Sequence, residues 1–252
     1  MEKLQDYDRL ESIFSHDRIA HINAIGVREL CDDFEVYVDD REEIKSYVMT
    51  KKQWYIVNSL DDREALDSAE RMIDDILNAG EARFSGVRDR YFEMVRDRSG
   101  IEFYERCYLY YLPPENFTYE EPDHEITSLR EEEAEIVARY HPYSSEDEKD
   151  SVSRIRRMIK NYPAYTIRDE DGQPVSWALQ RDDGSLGMAH TLKEHRRKGL
   201  AAAITVELLK ETIEMGLIPY VHIVTDNSPS ISLAEDLGFK RFQDEVVWFG
   251  TE

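Results

Sequence analysis

Cysteine is scarce. Cys31 and Cys107 are the only two among 252 residues, and neither belongs to a CxxC pair. A disulfide framework and a thiolate zinc site are therefore not indicated. Positive charge is also in short supply: 32 Lys and Arg stand against 54 Asp and Glu, a formal net charge of −22. A surface that acidic repels phosphate backbones and anionic lipids, so neither nucleic acid nor membrane is an expected partner. No apolar run approaches the roughly 18 residues of a membrane span. The opening MEKLQDYDRLES lacks the basic and apolar regions of a signal peptide, and the expected compartment is the cytoplasm. The seven histidines show no HExxH or HxxxH spacing, so no metal is expected. P-loop, GxGxxG and GxSxG patterns are missing too. What is present is 41% apolar residues, 11% of the chain being aromatic. At roughly 150 residues per domain this makes one or two domains.

The stretch LPPENFTYEEPD, Leu112 to Asp123, holds Pro113, Pro114 and Pro122 and reads as a connection, since adjacent prolines disfavour helix and central strand. It places an N-terminal domain at 1–118, a linker at 119–123 and a second domain at 124–252. Before it, alternating Val, Ile, Tyr and Phe predict strands over 17–26, 33–38, 43–49 and 53–58. A charged helix from Asp61 or Asp62 to Gly80 follows, then a strand over 101–112. After it, the pattern predicts a strand at 125–129, helices at 130–140 and 146–161, and strands at 164–169, 174–181 and 185–192. The connections DEDGQP and DDGS are acidic hairpin turns. Helix 199–215, strand 219–225, helix 228–237 and strand 239–249 end the chain. The expected fold class is α/β, with a mixed sheet flanked by helices and two similar halves, though no residue-level repeat is visible.

Arg196-Arg197-Lys198 is the only run of three adjacent basic residues, and it lies between strand 185–192 and helix 199–215. Positive charge at a helix N-terminus opposes the helix dipole. It makes sense where an anion sits on the unpaired backbone N–H groups, with Gly199 allowing close approach. A solvated basic turn with a glycine would also read this way. The segment HRRKGLA, 195–201, resembles the R-x-x-G-x-G/A signature of the GNAT superfamily of acyl-CoA-dependent N-acyltransferases, with Arg196, Gly199 and Ala201 on its positions. Asn227, Leu233, Leu237, Gly238 and Phe239 match that superfamily's N-x-x-x-x-x-L-x-x-x-L-G-F ending, in register. Pro174-Val175-Ser176-Trp177, Met188-Ala189, Thr191-Leu192 and His222 are similar to the C-terminal half of glycine N-acyltransferases. His21-Ile22-Asn23 resembles that family's N-terminal half, a degenerate GNAT-like copy.

The resemblance implies a GNAT fold in two tandem copies. It also implies a coenzyme A site made by Thr191, Leu192, Arg196, Arg197, Lys198, Gly199, Leu200, Ala201, Asn227 and Ser232. The co-substrate would be acetyl-CoA or another short acyl-CoA, the acceptor a primary amine of a small molecule or amino acid, and the protein a monomer or homodimer. Protein amines are an alternative acceptor, and a non-catalytic acyl-CoA sensor an alternative function. The family's usual side chains are displaced: Ser185 stands where glycine N-acyltransferases place a glutamate base, and Ala234 where many GNAT enzymes place a tyrosine acid. His190 and His222, on the two strands expected to flank the thioester, are the remaining candidate bases, because an imidazole near pKa 6.5 can accept a proton at neutral pH. Core histidines bonded to backbone would look the same in sequence. The catalytic candidates are thus His222, His190 and Ser185.

Overall fold

The computed structural model describes residues 1–51, 53–141 and 148–252. The first stretch folds as β1 (Glu2–Leu4), α1 (Glu11–Phe14), α2 (Ile22–Leu30), β2 (Glu35–Val38), β3 (Ser46–Lys51), β4 (Trp54–Ser59), α3 (Arg63–Asn78), β5 (Arg83–Arg88), α4 (Asp89–Arg96) and β6 (Ile101–Tyr111). It continues through β7 (Thr127–Ser128), α5 (Ala134–Tyr140), α6 (Glu148–Asn161), β8 (Ala164–Arg168), β9 (Pro174–Gln180), β10 (Leu186–Thr191), α7 (Leu200–Glu214), β11 (Tyr220–Val224), α8 (Ser228–Asp236) and β12 (Lys240–Thr251). The mixed α/β class is as expected. Two compact units result. Unit 1 is Met1–Tyr111 with His222–Ile231 and Arg241–Glu252, and unit 2 is Leu112–Val221 with Ser232–Lys240. This division departs from the linear boundary at 119–123, because β12 pairs with β5 rather than with strands of the second stretch.

Unit 1 is organised by an eight-stranded sheet in the order β1-β2-β3-β4-β5-β12-β6-β11. β3 and β4 are antiparallel, β4 and β5 parallel, and β12 runs antiparallel to β5. Strand alternation feeds two cores. Tyr47, Met49 and Ile56 join Phe14, Ala24 and Ile25 on one side, while Val48 and Val57 join Ala69, Met72 and Ile73 on the other. α3 forms because Asp62 caps it, its carboxylate accepting the Ala65 N–H at 3.0 Å. Ala65, Ala69, Met72, Ile73 and Ile76 then recur on the face that packs on β3 and β4. The predicted strand over 17–26 is instead α2. Every residue from Ile22 to Val27 is buried there, so the polar–apolar alternation that seemed to mark a strand has no solvent face behind it.

Unit 2 is organised by a four-stranded antiparallel sheet in the order β10-β9-β8-β7. α7 packs on β8, β9 and β10. Trp177 and Leu179 of β9 join Val137 and Ala138 of α5 and Ile155 and Met158 of α6 in a separate core. Both predicted hairpin turns form. Asp169 accepts the N–H groups of Asp171 and Gln173 ahead of the strand pair, and Gly172 and Gly184 take the positive φ values of +76° and +86°. The helix predicted at 146–161 runs over Glu148–Asn161, its first two residues lying outside the described ones.

Candidate functional site

The open end of unit 2 is β10, an edge strand of its sheet. Its register against β9 shifts between Gly187 and His190, and Met188 has φ +51°, so the strand carries a bulge just before His190. Beyond it the Leu192 N–H donates to Val175 O at 2.9 Å. By alternation, Thr191 turns its N–H and C=O away from β9. Of the expected pair, Thr191 therefore offers main-chain groups at the open edge, and the Leu192 N–H does not. Thr191 is firmly held, its hydroxyl 2.8 Å from Ser176 Oγ and its carbonyl accepting from Arg196 Nε at 3.0 Å.

The chain then runs through Lys193–His195 to an exposed loop in which Arg197 has φ +61° and Gly199 φ +76°. Alternating left-handed residues of this kind turn successive N–H groups into a concavity that suits an anion. Gly199 is the N-cap of α7, no side chain caps that helix start, and its first turn carries no acidic residue. The Leu200 and Ala201 N–H groups belong to the uncapped first turn of α7, whose N-cap carbonyl, Gly199 O, accepts the Ala203 N–H at 3.0 Å. A Cβ built on Gly199 would meet only His124 Nε2, at 3.9 Å, so the space above it is open. Arg196, Arg197 and Lys198 are all exposed. Arg196 also ties the loop to β10 through Thr191 O. The passage from β4 to α3 in unit 1 is the contrast: the Asp62 carboxylate already occupies the place of an anion there.

His190, half-buried, sits in a ring cluster with Tyr140 at 4.6 Å and Trp177 at 5.2 Å between centroids. Burial, with Arg196 nearby, holds its imidazole below the usual histidine range, so it is neutral at pH 7. Ser185 is 1% exposed and belongs to the turn before β10, its hydroxyl and N–H both donating to Asp183 Oδ1 at 2.5 and 3.0 Å. A serine sealed in a turn has no access to substrate, and this corrects the expectation that it marks the base position.

The remaining expected residues fall on elements that belong wholly or partly to unit 1. Asn227 is exposed and accepts the Ser230 N–H at 3.3 Å, a capping contact at the start of α8, and Ser232 is exposed on that helix. His222 lies on β11, where the Trp248 indole N–H donates to its Nδ1 at 3.1 Å. A neutral ring must then carry its proton on Nε2, which makes that nitrogen a donor and a poor base. Gly86 makes room for the ring, since a Cβ there would lie 2.5 Å from His222 Cε1.

His222 borders a cleft that sequence reasoning missed. It is also bordered by Asn23, Asn58 and Arg88, with apolar walls that include Ile56, Leu109 and Phe242. Asn23 Nδ2 donates to Ser85 O and Gly86 O, and Arg88 donates to Asn58 Oδ1 at 2.8 Å and Asp61 at 3.1 Å. Nearby, His21 is 2% exposed with Nδ1 3.0 Å from the Tyr47 hydroxyl, and burial pushes its pKa down to about 4. The sequence signal for this cluster was the His21-Ile22-Asn23 run. The rest, Asn58, Arg88 and Tyr91, is scattered along the chain.

Residues 166–249 match the family model described as FR47-like protein. In solved structures the whole chain superposes on an X-ray structure of a Drosophila protein, with TM-score 0.79 at 20% identity over 100% of this chain and 98% of that one. It also superposes on a tandem GNAT protein from the clavulanic acid biosynthesis pathway, with TM-score 0.54 at 12% identity over 100% and 97%. A GCN5-related N-acetyltransferase from Kribbella flavida aligns with TM-score 0.56 at 17% identity over 92% and 94%. The chain has the GNAT fold. Among curated proteins, glycine N-acyltransferase-like protein 1 of Homo sapiens is 28% identical over 98 residues, 39% of this chain and 32% of that protein. Glycine N-acyltransferase of Bos taurus is 26% identical over 112 residues, 44% and 37%. The chain thus spans about a third of the length of the curated relatives it matches. Among its described residues, no helix is long and apolar enough to cross a membrane.

Proposed function

We propose that the chain is an acyl-CoA-dependent N-acyltransferase that moves a short acyl group, such as acetyl, from coenzyme A to a primary amine of a small molecule or amino acid. The observation that carries this is the uncapped start of α7, with Arg197 and Gly199 left-handed and the space over Gly199 open. The named relatives, glycine N-acyltransferases and GNAT proteins, support the same reading. The loop from Arg196 to Ala201 would hold the coenzyme A pyrophosphate on backbone N–H groups, helped by the helix dipole. The open-edge groups of Thr191 would receive the pantetheine arm. The two-copy organisation implied by the sequence fits this picture, with the acidic, capped start of α3 leaving anion binding to α7.

The chemistry is a direct attack. The neutral amine nitrogen adds to the thioester carbonyl, the C–N bond forms, the C–S bond breaks, and the thiolate leaves. One proton passes from the nitrogen to solvent or to a base, and the thiol regains one. His190 is the better placed imidazole for that proton: it lies next to the bulge of β10 and is neutral at pH 7. A base poised this way contributes about 10²–10⁴-fold. Release of free thiol from acetyl-CoA in the presence of an amine panel tests the reading. Turnover with at least one small amine is expected. Tight coenzyme A binding with no turnover would leave an acyl-CoA sensor, the reading that the sealed Ser185 and the buried Ala234 favour.

A further inference from the structure

The connection that leads into the sheet of unit 2 is acidic. Between Leu112 and Leu129 it carries Glu115, Glu120, Glu121, Asp123 and Glu125, and His124 is its only basic side chain. That side chain is the one brought to the basic loop, with His124 Nε2 lying 3.0 Å from Lys198 O. A carbonyl can only accept, so Nε2 carries a ring proton and donates it. The same nitrogen borders the open space over Gly199, 3.9 Å from where a Cβ would stand. An oxygen entering that space would meet the Nε2–H beside it. His124 is also held from both sides. Before it, the Tyr119 hydroxyl donates to Glu207 Oε1 at 2.5 Å and the Tyr119 ring lies 4.5 Å from Lys210 Nζ, both on α7. After it, Thr127 of β7 pairs with Thr166 of β8. The imidazole is thus preorganised beside the start of α7, which lowers the ordering cost of a contact there.

We propose that His124 is a further coenzyme A contact, its Nε2–H donating to a pyrophosphate oxygen, a role that rests on the coenzyme A reading of the loop. The Lys198 carbonyl keeps the donor on Nε2 and turned towards the loop. Passing that N–H from the carbonyl to a phosphate oxygen exchanges a neutral hydrogen bond for one to an anion, which is roughly twice as strong. Asp123 and Glu125, the chain neighbours of His124, oppose an anion at this place, and the exposed Arg196, Arg197 and Lys198 offset them. The contact reads the diphosphate and is indifferent to the acyl group and the acceptor amine.

The test is calorimetry of the full chain with coenzyme A and 3′-dephospho-coenzyme A, for the parent, His124→Phe and His124→Gln. His124→Phe should bind both ligands at least about fivefold more weakly than the parent. His124→Gln, whose side-chain amide also donates, should recover part of that loss. In ¹H–¹⁵N spectra of the parent, the His124 Nε2–H signal, identified by its loss in either variant, should move downfield with coenzyme A as a phosphate oxygen replaces the carbonyl. Weaker binding by His124→Phe with that signal unmoved would mean that the ring only braces the loop, and overturns the contact. A loss confined to coenzyme A, with the dephospho form unaffected, would put His124 on the 3′-phosphate and overturn the pyrophosphate assignment. Equal affinities of the parent and His124→Phe overturn the contact and leave the acyl-CoA reading standing. A parent that binds no coenzyme A ends both.

Discussion

Gly199 is the residue on which the coenzyme A reading turns, because two different demands meet there. Its φ of +76° costs a residue with a Cβ about 1–2 kcal/mol, while the nearest atom to that Cβ would be 3.9 Å away. Gly199→Ala should therefore stay folded with a small loss of melting temperature. Gly199→Val should lose coenzyme A binding by calorimetry, because its branched side chain stands over the N–H groups that would hold the pyrophosphate. A Gly199→Val protein that binds as tightly as the parent would remove this loop from the site. The two histidines differ in the same concrete way. His190 is held below the usual histidine range, so as a base it is active when deprotonated and loses activity only as pH falls through that lowered pKa. Its kcat/KM should be flat against this group above pH 7 and fall in acid. His190→Gln should abolish that acid limb and lower kcat/KM at least tenfold, with coenzyme A affinity unchanged. His222→Gln should leave the limb in place, since the His222 Nδ1 is already accepting from Trp248.

At the scale of elements, the strand–loop–helix from β10 to α7 was readable from sequence because its signals are local: an acidic hairpin turn, a basic loop, a glycine and an amphipathic helix in immediate succession. β5 and α4 were not readable. Gly86 with φ +57° interrupts the strand pattern, and the reason for a glycine there, the ring of His222, lies far along the chain. The unit 1 cleft was hidden for the same reason, since Asn23, Asn58, Arg88 and His222 meet only in three dimensions. The placement of β12 was likewise invisible, as its apolar alternation says that it pairs but not with which strand. That placement has a consequence. Phe249 of β12 stacks on Phe84 of β5 at 4.5 Å, edge-on to Phe92 at 5.0 Å, and is fully buried. Phe249→Ala should cost about 3–5 kcal/mol by denaturant unfolding. Residues 124–252 produced alone carry β12 without β5, exposing Val246, Val247 and Phe249, so this fragment should aggregate. A chain cleaved within 113–123 should instead remain one species on gel filtration, because strands from both pieces share the unit 1 sheet. A soluble, monomeric, cooperatively unfolding 124–252 fragment would contradict the strand order.

Over the whole molecule, two opposing effects set how stability depends on pH. The formal charge is −22 at pH 7 and the sequence pI about 4.7, so acidification removes self-repulsion and by itself favours the compact state. Those carboxylates are mostly exposed, and at 0.15 M salt their repulsion is screened beyond about 8 Å. Buried imidazoles act in the other direction and are screened much less. His21 and His141 are each pushed by burial from the ordinary value of 6.5 to about 4. A histidine with a depressed folded-state pKa is neutral in both states above pH 6.5. Below that, the unfolded chain takes up the proton first, so stability is lost as pH falls from 6.5 towards 4. A displacement of this size corresponds to roughly 3 kcal/mol for a well-buried group once the window is crossed. In 0.15 M salt the buried histidines should therefore prevail, and the melting temperature should fall between pH 7.5 and 5 even though the net charge is shrinking. His21→Gln keeps a polar group near the Tyr47 hydroxyl but cannot titrate. It should melt lower than the parent at pH 7.5 and lose less on going to pH 5. An unchanged pH slope in His21→Gln would mean that His21 is not what makes the fold sensitive to acid.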